Sequence, residues 1–215
     1  MLKLIVLDFD GVIVESTDIK TEAFRRLFSR YPEHVDEIVE YHKKHMGVSR
    51  YEKFSYIFKN ILKRPLSEEK KAELGRDFSA LVVEEIKRCP LVPGAQDFLE
   101  KYSKKVKLFI ASSTPEEELR HLVEARGLQK YFQGAYGAPS KKSEIAARLV
   151  KKEGVKKEET LLVGDSAVDL AEAEKAGILF VGRVVNSAEN PFPRGVKIIG
   201  DLNELGTIVE VPSCR

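Results

Sequence analysis

The chain is poor in cysteine, with only Cys89 and Cys214 in 215 residues, and their wide separation matches no metal or redox spacing. A disulfide scaffold and a cysteine-built metal site are therefore excluded, and two reduced thiols in a cytoplasmic protein are expected. There is no excess of one charge: 36 basic and 34 acidic residues leave a net charge of +2. Nothing in that balance calls for nucleic acid or an anionic membrane as partner. Long apolar runs are missing too. The opening run Leu4 to Leu7 stops at Asp8, too soon for a membrane span or a signal peptide. No repeat or low-complexity tract organises the chain.

What is there suffices for a core. Hydrophobic residues make up 43% of the chain, and 215 residues allow one large domain, or a core with a smaller module. Short apolar runs recur at Leu4–Leu7, Val106–Ala111, Leu161–Val163, Ile178–Val181 and Val196–Ile199. They do not alternate with polar residues, as strands buried on both faces do not. Helical spacing lies between the later runs, at Ala95, Phe98, Leu99 and Tyr102, at Leu119, Leu122 and Val123, and at Ile145 and Leu149. Alternating strands and helices predict an α/β fold, a doubly wound Rossmann-like parallel sheet.

One stretch departs from that rhythm. Between Thr17 and Cys89 only amphipathic patterns occur, among them Phe24, Leu27 and Phe28, then Phe54, Ile57, Phe58 and Ile61. Ser67 before Glu68 and Glu69 reads as a helix start, and "CPLVPGA" from Cys89 to Ala95 as a return linker. The predicted organisation is an α/β core of residues 1–15 and 91–215, with an inserted α-helical cap of residues 16–90. Ligands in such sheets bind beyond the carboxyl ends of the strands, so the insertion hangs over the site.

Polar groups gather at those ends. In "VLDFDGVIVES", Asp8 and Asp10 follow the first strand two residues apart, which crowds two carboxylates on one side. The second strand ends in Ser112, Ser113 and Thr114, with Thr114 the expected cap of the helix that opens "PEEE". "GDSAVD" offers Asp165 and Asp169, and "APSKKSE" places Lys141 or Lys142 at another helix start. Singly, these are caps, turns and solvated lysines. Together, four carboxylates at one edge call for a hard, oxygen-bound cation such as Mg²⁺, and the hydroxyls and lysine suit a phosphate.

These four segments, in order and spacing, resemble the motifs of the haloacid dehalogenase superfamily, in the helical-cap group that includes phosphoglycolate phosphatase and beta-phosphoglucomutase. The DxD form at Asp8 and Asp10 is similar to that of its phosphatases and phosphomutases. The resemblance implies Asp8 as nucleophile, Asp10 as general acid and base, and Ser112 as a phosphoryl ligand. It implies Lys142, or else Lys141, as the phosphate lysine, and Asp8, Asp10, Asp165 and Asp169 as the Mg²⁺ site. The stretch "GVSR" resembles the substrate loop of the capped members, which makes Arg50 a substrate contact; Ser113 and Lys20 are further candidates. The expected activity is a Mg²⁺-dependent phosphatase acting on a small phosphate ester through an aspartyl-phosphate. A beta-phosphoglucomutase-like phosphomutase is the alternative, although Lys20 stands where that enzyme has a histidine. A non-catalytic phospho-aspartate module is the remote one. Oligomeric state is not legible in the chain.

Overall fold

The structure, a computed structural model, describes residues 1–185 and 190–210; Cys214 lies outside the described residues. Six parallel strands form one sheet: β1 Leu4–Leu7, β2 Lys107–Pro115, β3 Ala135–Ala138, β4 Thr160–Gly164, β5 Leu179–Arg183 and β6 Ile198–Ile199. Their order is β3-β2-β1-β4-β5-β6, the doubly wound arrangement expected. β1 sits between β2 and β4, in register Leu7 to Ile110 on one side and Leu7 to Val163 on the other. The ends of the three chemistry-bearing strands therefore lie side by side at the point where strand order reverses.

The sheet is buried on both faces, which is why its strands read as unbroken apolar runs. Ile5, Leu7, Leu108, Ile110 and Val163 face one apolar cluster; it also takes in helices α5 (Ala95–Tyr102), α6 (Glu116–Ala125) and α9 (Leu202–Glu210). Leu4, Val6, Phe109 and Leu162 face the other, built with α7 (Lys142–Glu153) and α8 (Ala167–Ala176). No helix among the described residues is long and apolar enough to cross a membrane.

Between β1 and α5 the described chain is helical, as expected: α1 Thr17–Leu27, α2 Val35–Lys44, α3 Arg50–Tyr56 and α4 Glu68–Arg88, with α3 running on as a π-helical turn over Ile57–Ile61. Phe24, Phe28, Phe54 and Phe78 pack ring against ring, with centroids 5.1 to 6.4 Å apart. This aromatic core is continuous with the apolar cluster on one face of the sheet. The entering and leaving chains are tied together: Glu15 N–H donates to Pro90 C=O at 3.0 Å, and Val92 N–H to Ile13 C=O at 3.0 Å. Gly47 brings the insertion down onto the sheet. Its φ is +81°, and a Cβ there would lie 2.3 Å from Ser166 Oγ, so only glycine fits.

Three local readings are corrected. β3 was not expected, because "AYGA" is a half-buried edge strand with little apolar mass. The strand expected at Val196–Ile199 covers only Ile198–Ile199. Thr114 does not cap α6: Pro115 holds the N-cap position, and the Thr114 hydroxyl is engaged elsewhere. Ser67 does cap α4, as expected, its Oγ accepting from Lys70 N–H at 3.2 Å.

Candidate active site

β1 delivers Asp8 and Asp10 into the gap between the ends of β2 and β4. Asp8 is buried; its Oδ1 accepts from Phe9 N–H at 2.7 Å, and its Oδ2 lies 2.6 Å from Lys142 Nζ. Lys142 opens α7 and is itself buried, and its ammonium also pairs with Asp169. Of the two candidate lysines only Lys142 reaches the carboxylates. Lys141 holds the exposed N-cap position of α7.

Asp165 follows β4 directly, while α8 begins two residues later, with Ser166 as its cap. Ser166 donates to Asp169 Oδ2 through N–H at 3.1 Å and Oγ at 2.7 Å, which fixes that carboxylate toward Lys142. Oxygens of Asp8, Asp165 and Asp169 all lie within 4.8 Å of one another. Close approach is enforced at Gly11, whose φ is +71° and whose absent Cβ would lie 2.0 Å from Asp165 Oδ2.

The electrostatics follow from that crowding. Burial pushes the Asp8 carboxyl up to about 7, with Asp169 and Asp10 adding to the rise and Lys142 opposing it. Asp165 is raised well above the carboxylate range, by burial first and then by Asp8 and Asp169. For Lys142, burial favours the neutral amine, but Asp169 and Asp8 outweigh it and hold the ammonium charged. Lys142 thus pairs with two of the three carboxylates, Asp8 and Asp169, while Asp165 accepts no hydrogen bond from any described residue. An all-oxygen, mostly buried set with uncompensated negative charge fits a hard divalent cation such as Mg²⁺.

Asp10 lies in a different environment. Its Oδ1 accepts from Ser16 Oγ at 2.6 Å; its Oδ2 accepts from Thr114 Oγ1 at 3.0 Å and lies 2.5 Å from Lys20 Nζ. Ser112 Oγ is 3.4 Å from the same oxygen and also accepts from Thr114 N–H at 3.1 Å. Burial works against ionisation here, but Lys20 and the hydroxyl donors prevail, and Asp10 is held below the usual carboxylate range. The two aspartates that looked alike in sequence are electrostatic opposites.

Asp8, Asp10 and Asp165 open onto a cleft whose other walls include Lys20, Ser113, Thr114 and, from the insertion, His42, Arg50 and Lys53. Arg50 lies on this wall, but its guanidinium is engaged by Glu118 of α6. His42, Lys53, Glu118 and Thr114 were missed as members of the site. Glu118 stands in "PEEE" and Lys53 three residues after "GVSR", yet nothing local marks either as part of a site, and His42 stands amid ordinary helix surface. Arg183 was missed as well. It is buried, donating to Gly11 C=O at 2.8 Å and pairing with Glu15 at 2.7 Å, and so fastens the loop that follows Asp10.

With the fold and these strand-end groups in place, comparison with known proteins agrees. Residues 5–183 match a family model described as haloacid dehalogenase-like hydrolase, and the chain belongs to that family. It is 27% identical over 193 residues to a phosphorylated carbohydrates phosphatase of Thermotoga maritima, covering 86% of this chain and 87% of that protein. Among solved structures it resembles beta-phosphoglucomutase from Clostridium difficile, with a TM-score of 0.75 at 20% identity, over 95% of this chain and 93% of that one. It also resembles a CbbY variant from Rhodobacter sphaeroides in complex with xylulose-(1,5)bisphosphate: TM-score 0.75 at 19% identity, over 96% of this chain and 97% of the other. At such identities the structural likeness speaks for the fold alone.

Proposed function

We propose that the chain is a Mg²⁺-dependent phosphatase of small phosphate esters, phosphorylated carbohydrates or their acids, working through an aspartyl-phosphate on Asp8. The observation that carries this reading is the cluster of Asp8, Asp165 and Asp169 around Lys142 at the switch point of the sheet. Membership of a hydrolase family and the likeness to a curated phosphatase support it.

In this reading Asp8, Asp165 and Asp169 hold Mg²⁺, with Asp10 at the edge of the site. The ion supplies charge neutralisation for the incoming phosphate and keeps Asp8 ionised. Lys142, paired with Asp8, adds positive charge to the same end. Ser112 and Ser113, at the end of β2, are donors for the phosphoryl oxygens. An Asp8 oxygen attacks phosphorus, the ester P–O bond breaks, and the leaving oxygen takes a proton from Asp10. Water then attacks the phosphorylated Asp8, gives a proton to Asp10, and free phosphate departs.

Asp10 held ionised by Lys20 is ready for the second half of that cycle, where it acts as base. The first half needs it protonated, and a phosphate dianion brought alongside favours proton uptake. Residues 16–90 act as the cap in this scheme, bringing Lys20 and the wall residues over a floor built from 1–15 and 91–215.

The test is phosphate release from a panel of metabolite esters, with Mg²⁺ and after exhaustive chelation. Release from several esters that stops on chelation and is abolished in Asp8→Asn is expected. Full activity in chelator, or a turning-over Asp8→Asn, overturns the scheme. Bisphosphate-dependent isomerisation with little phosphate release would identify a phosphomutase instead.

A further inference from the structure

Four buried or half-buried cations surround the cleft and its floor, and three of them are matched by carboxylates. Lys20 pairs with Asp10, Arg50 with Glu118, and Lys142 with Asp8 and Asp169. Lys53 of α3 is the exception: among the described residues no carboxylate lies within ion-pair distance of it. It is only 3% exposed, yet it lines the cleft that opens on Asp8 and Asp10. Its Nζ donates to His42 Nδ1 at 3.0 Å and to His42 C=O at 3.3 Å, and sits 5.5 Å from the centre of the Phe24 ring.

His42 carries the same imbalance further. Because its Nδ1 accepts from Lys53, the neutral ring bears its proton on Nε2. That N–H is buried, on a ring stacked 4.1 Å from Phe24, and among the described residues it has no hydrogen-bond partner. Two donors from α2 and α3 thus reach the wall of one cleft with neither a counter-charge nor a full set of acceptors. Buried polar groups are rarely left so, unless a ligand completes them.

We propose that Lys53, steadied by His42, receives an anionic group of the substrate remote from the phosphoryl group being transferred. The ester would then carry a carboxylate or a second phosphate rather than end in a neutral alcohol. This rests on the phosphatase reading above and narrows its substrate class. A hydroxyl could supply an acceptor, but only an anion supplies the missing charge as well. The amine's own state agrees: burial first, then Lys20, pulls it down to about 7, although Asp165, beyond ion-pair distance, opposes the shift. Arg50, spent on Glu118, is not free for the task.

The experiment compares two pairs of esters, in each of which one member carries a second anionic group and the other a hydroxyl in its place. One pair is 2-phosphoglycolate and 2-hydroxyethyl phosphate, which differ in a terminal carboxylate. The other is glucose 1,6-bisphosphate and glucose 1-phosphate, which differ in a second phosphate. In wild type the acidic member of at least one pair should have the higher kcat/KM, by about tenfold or more, and the pair that responds identifies the anion. In Lys53→Met that ratio should fall close to one, through KM, and Lys53→Arg should retain it. Each ratio is taken within one preparation, so partial misfolding cancels. Flat ratios in wild type, or a ratio that survives Lys53→Met, overturn the anion subsite while 4-nitrophenyl phosphate turnover keeps the phosphatase reading. No release from any ester, nitrophenyl included, overturns both.

Discussion

The guanidinium of Arg50 and the carboxylate of Glu118 meet in a two-point ion pair, Nη2 to Oε1 at 2.6 Å and Nη1 to Oε2 at 3.0 Å. One partner belongs to the helical insertion and the other to α6 of the sheet layer. Arg50 also donates to Ser79 at 2.8 Å and lies 4.5 Å from the centre of the Phe78 ring. The pair is shut off from water, with side chains 5% and 11% exposed.

Arg50→Met should therefore cost stability, because it leaves Glu118 and Ser79 desolvated without their cation. Removing one partner of a buried pair costs about 3–5 kcal/mol, on the order of 10 °C in a chain of this size. Arg50→Met combined with Glu118→Gln should recover much of the loss, since no unpaired charge remains. Thermal unfolding of the single and double variants checks this. A single variant within about 2 °C of wild type would show that the pair contributes little.

Divalent cation should stabilise the folded chain as well as switch on turnover. Saturation at a hundredfold over Kd is worth about 2.7 kcal/mol, or several degrees in Tm. Asp165→Asn should abolish that shift. In chelator the same variant should melt no lower than wild type, because it relieves the repulsion that raises Asp8 and Asp165. Calorimetry with and without Mg²⁺ reads both effects, and an undiminished Mg²⁺ shift in Asp165→Asn would remove that residue from the metal site.

Lys20 should set the acid limb of the pH–rate profile. It is chiefly its charge that holds Asp10 below the usual carboxylate range against burial. In Lys20→Met the Asp10 carboxyl rises, and the ascending limb of kcat, which reports the base form, should move to higher pH. A limb that stays in place would mean that some other group limits the rate there.

His42 makes a stability prediction with a definite sign. Burial, with Lys53 beside it, drives its pKa from an ordinary 6.5 down to about 2. The unfolded chain thus binds a proton that the folded one refuses. This contribution is complete above 6.5 and is lost as pH falls from there toward 2, by up to about 1.4 kcal/mol per pH unit. His42→Gln keeps an acceptor for Lys53 but cannot titrate. The difference between wild type and variant in chemical denaturation should therefore grow steadily from pH 6.5 to pH 4. Parallel pH dependence of the two proteins would refute a buried neutral His42.

Much of this molecule follows from local pattern. The sheet class, the helical insertion after β1 and the strand ends with their carboxylates are legible because apolar periodicity and chain order are local properties, and the order of the motifs along the chain is itself the family signal. Which lysine meets Asp8 is not local. Lys141 and Lys142 are adjacent, and only the direction in which α7 leaves the sheet turns one of them inward. Nor does the sequence separate Asp8 from Asp10, one raised by burial among carboxylates and the other lowered by Lys20 and its hydroxyl donors. The engagement of Arg50 by Glu118, and the buried pair His42 and Lys53, join residues from separate helices. Burial and charge partnership are sums over neighbours brought together by folding, so packing alone decides which cation is already satisfied and which is left facing the cleft.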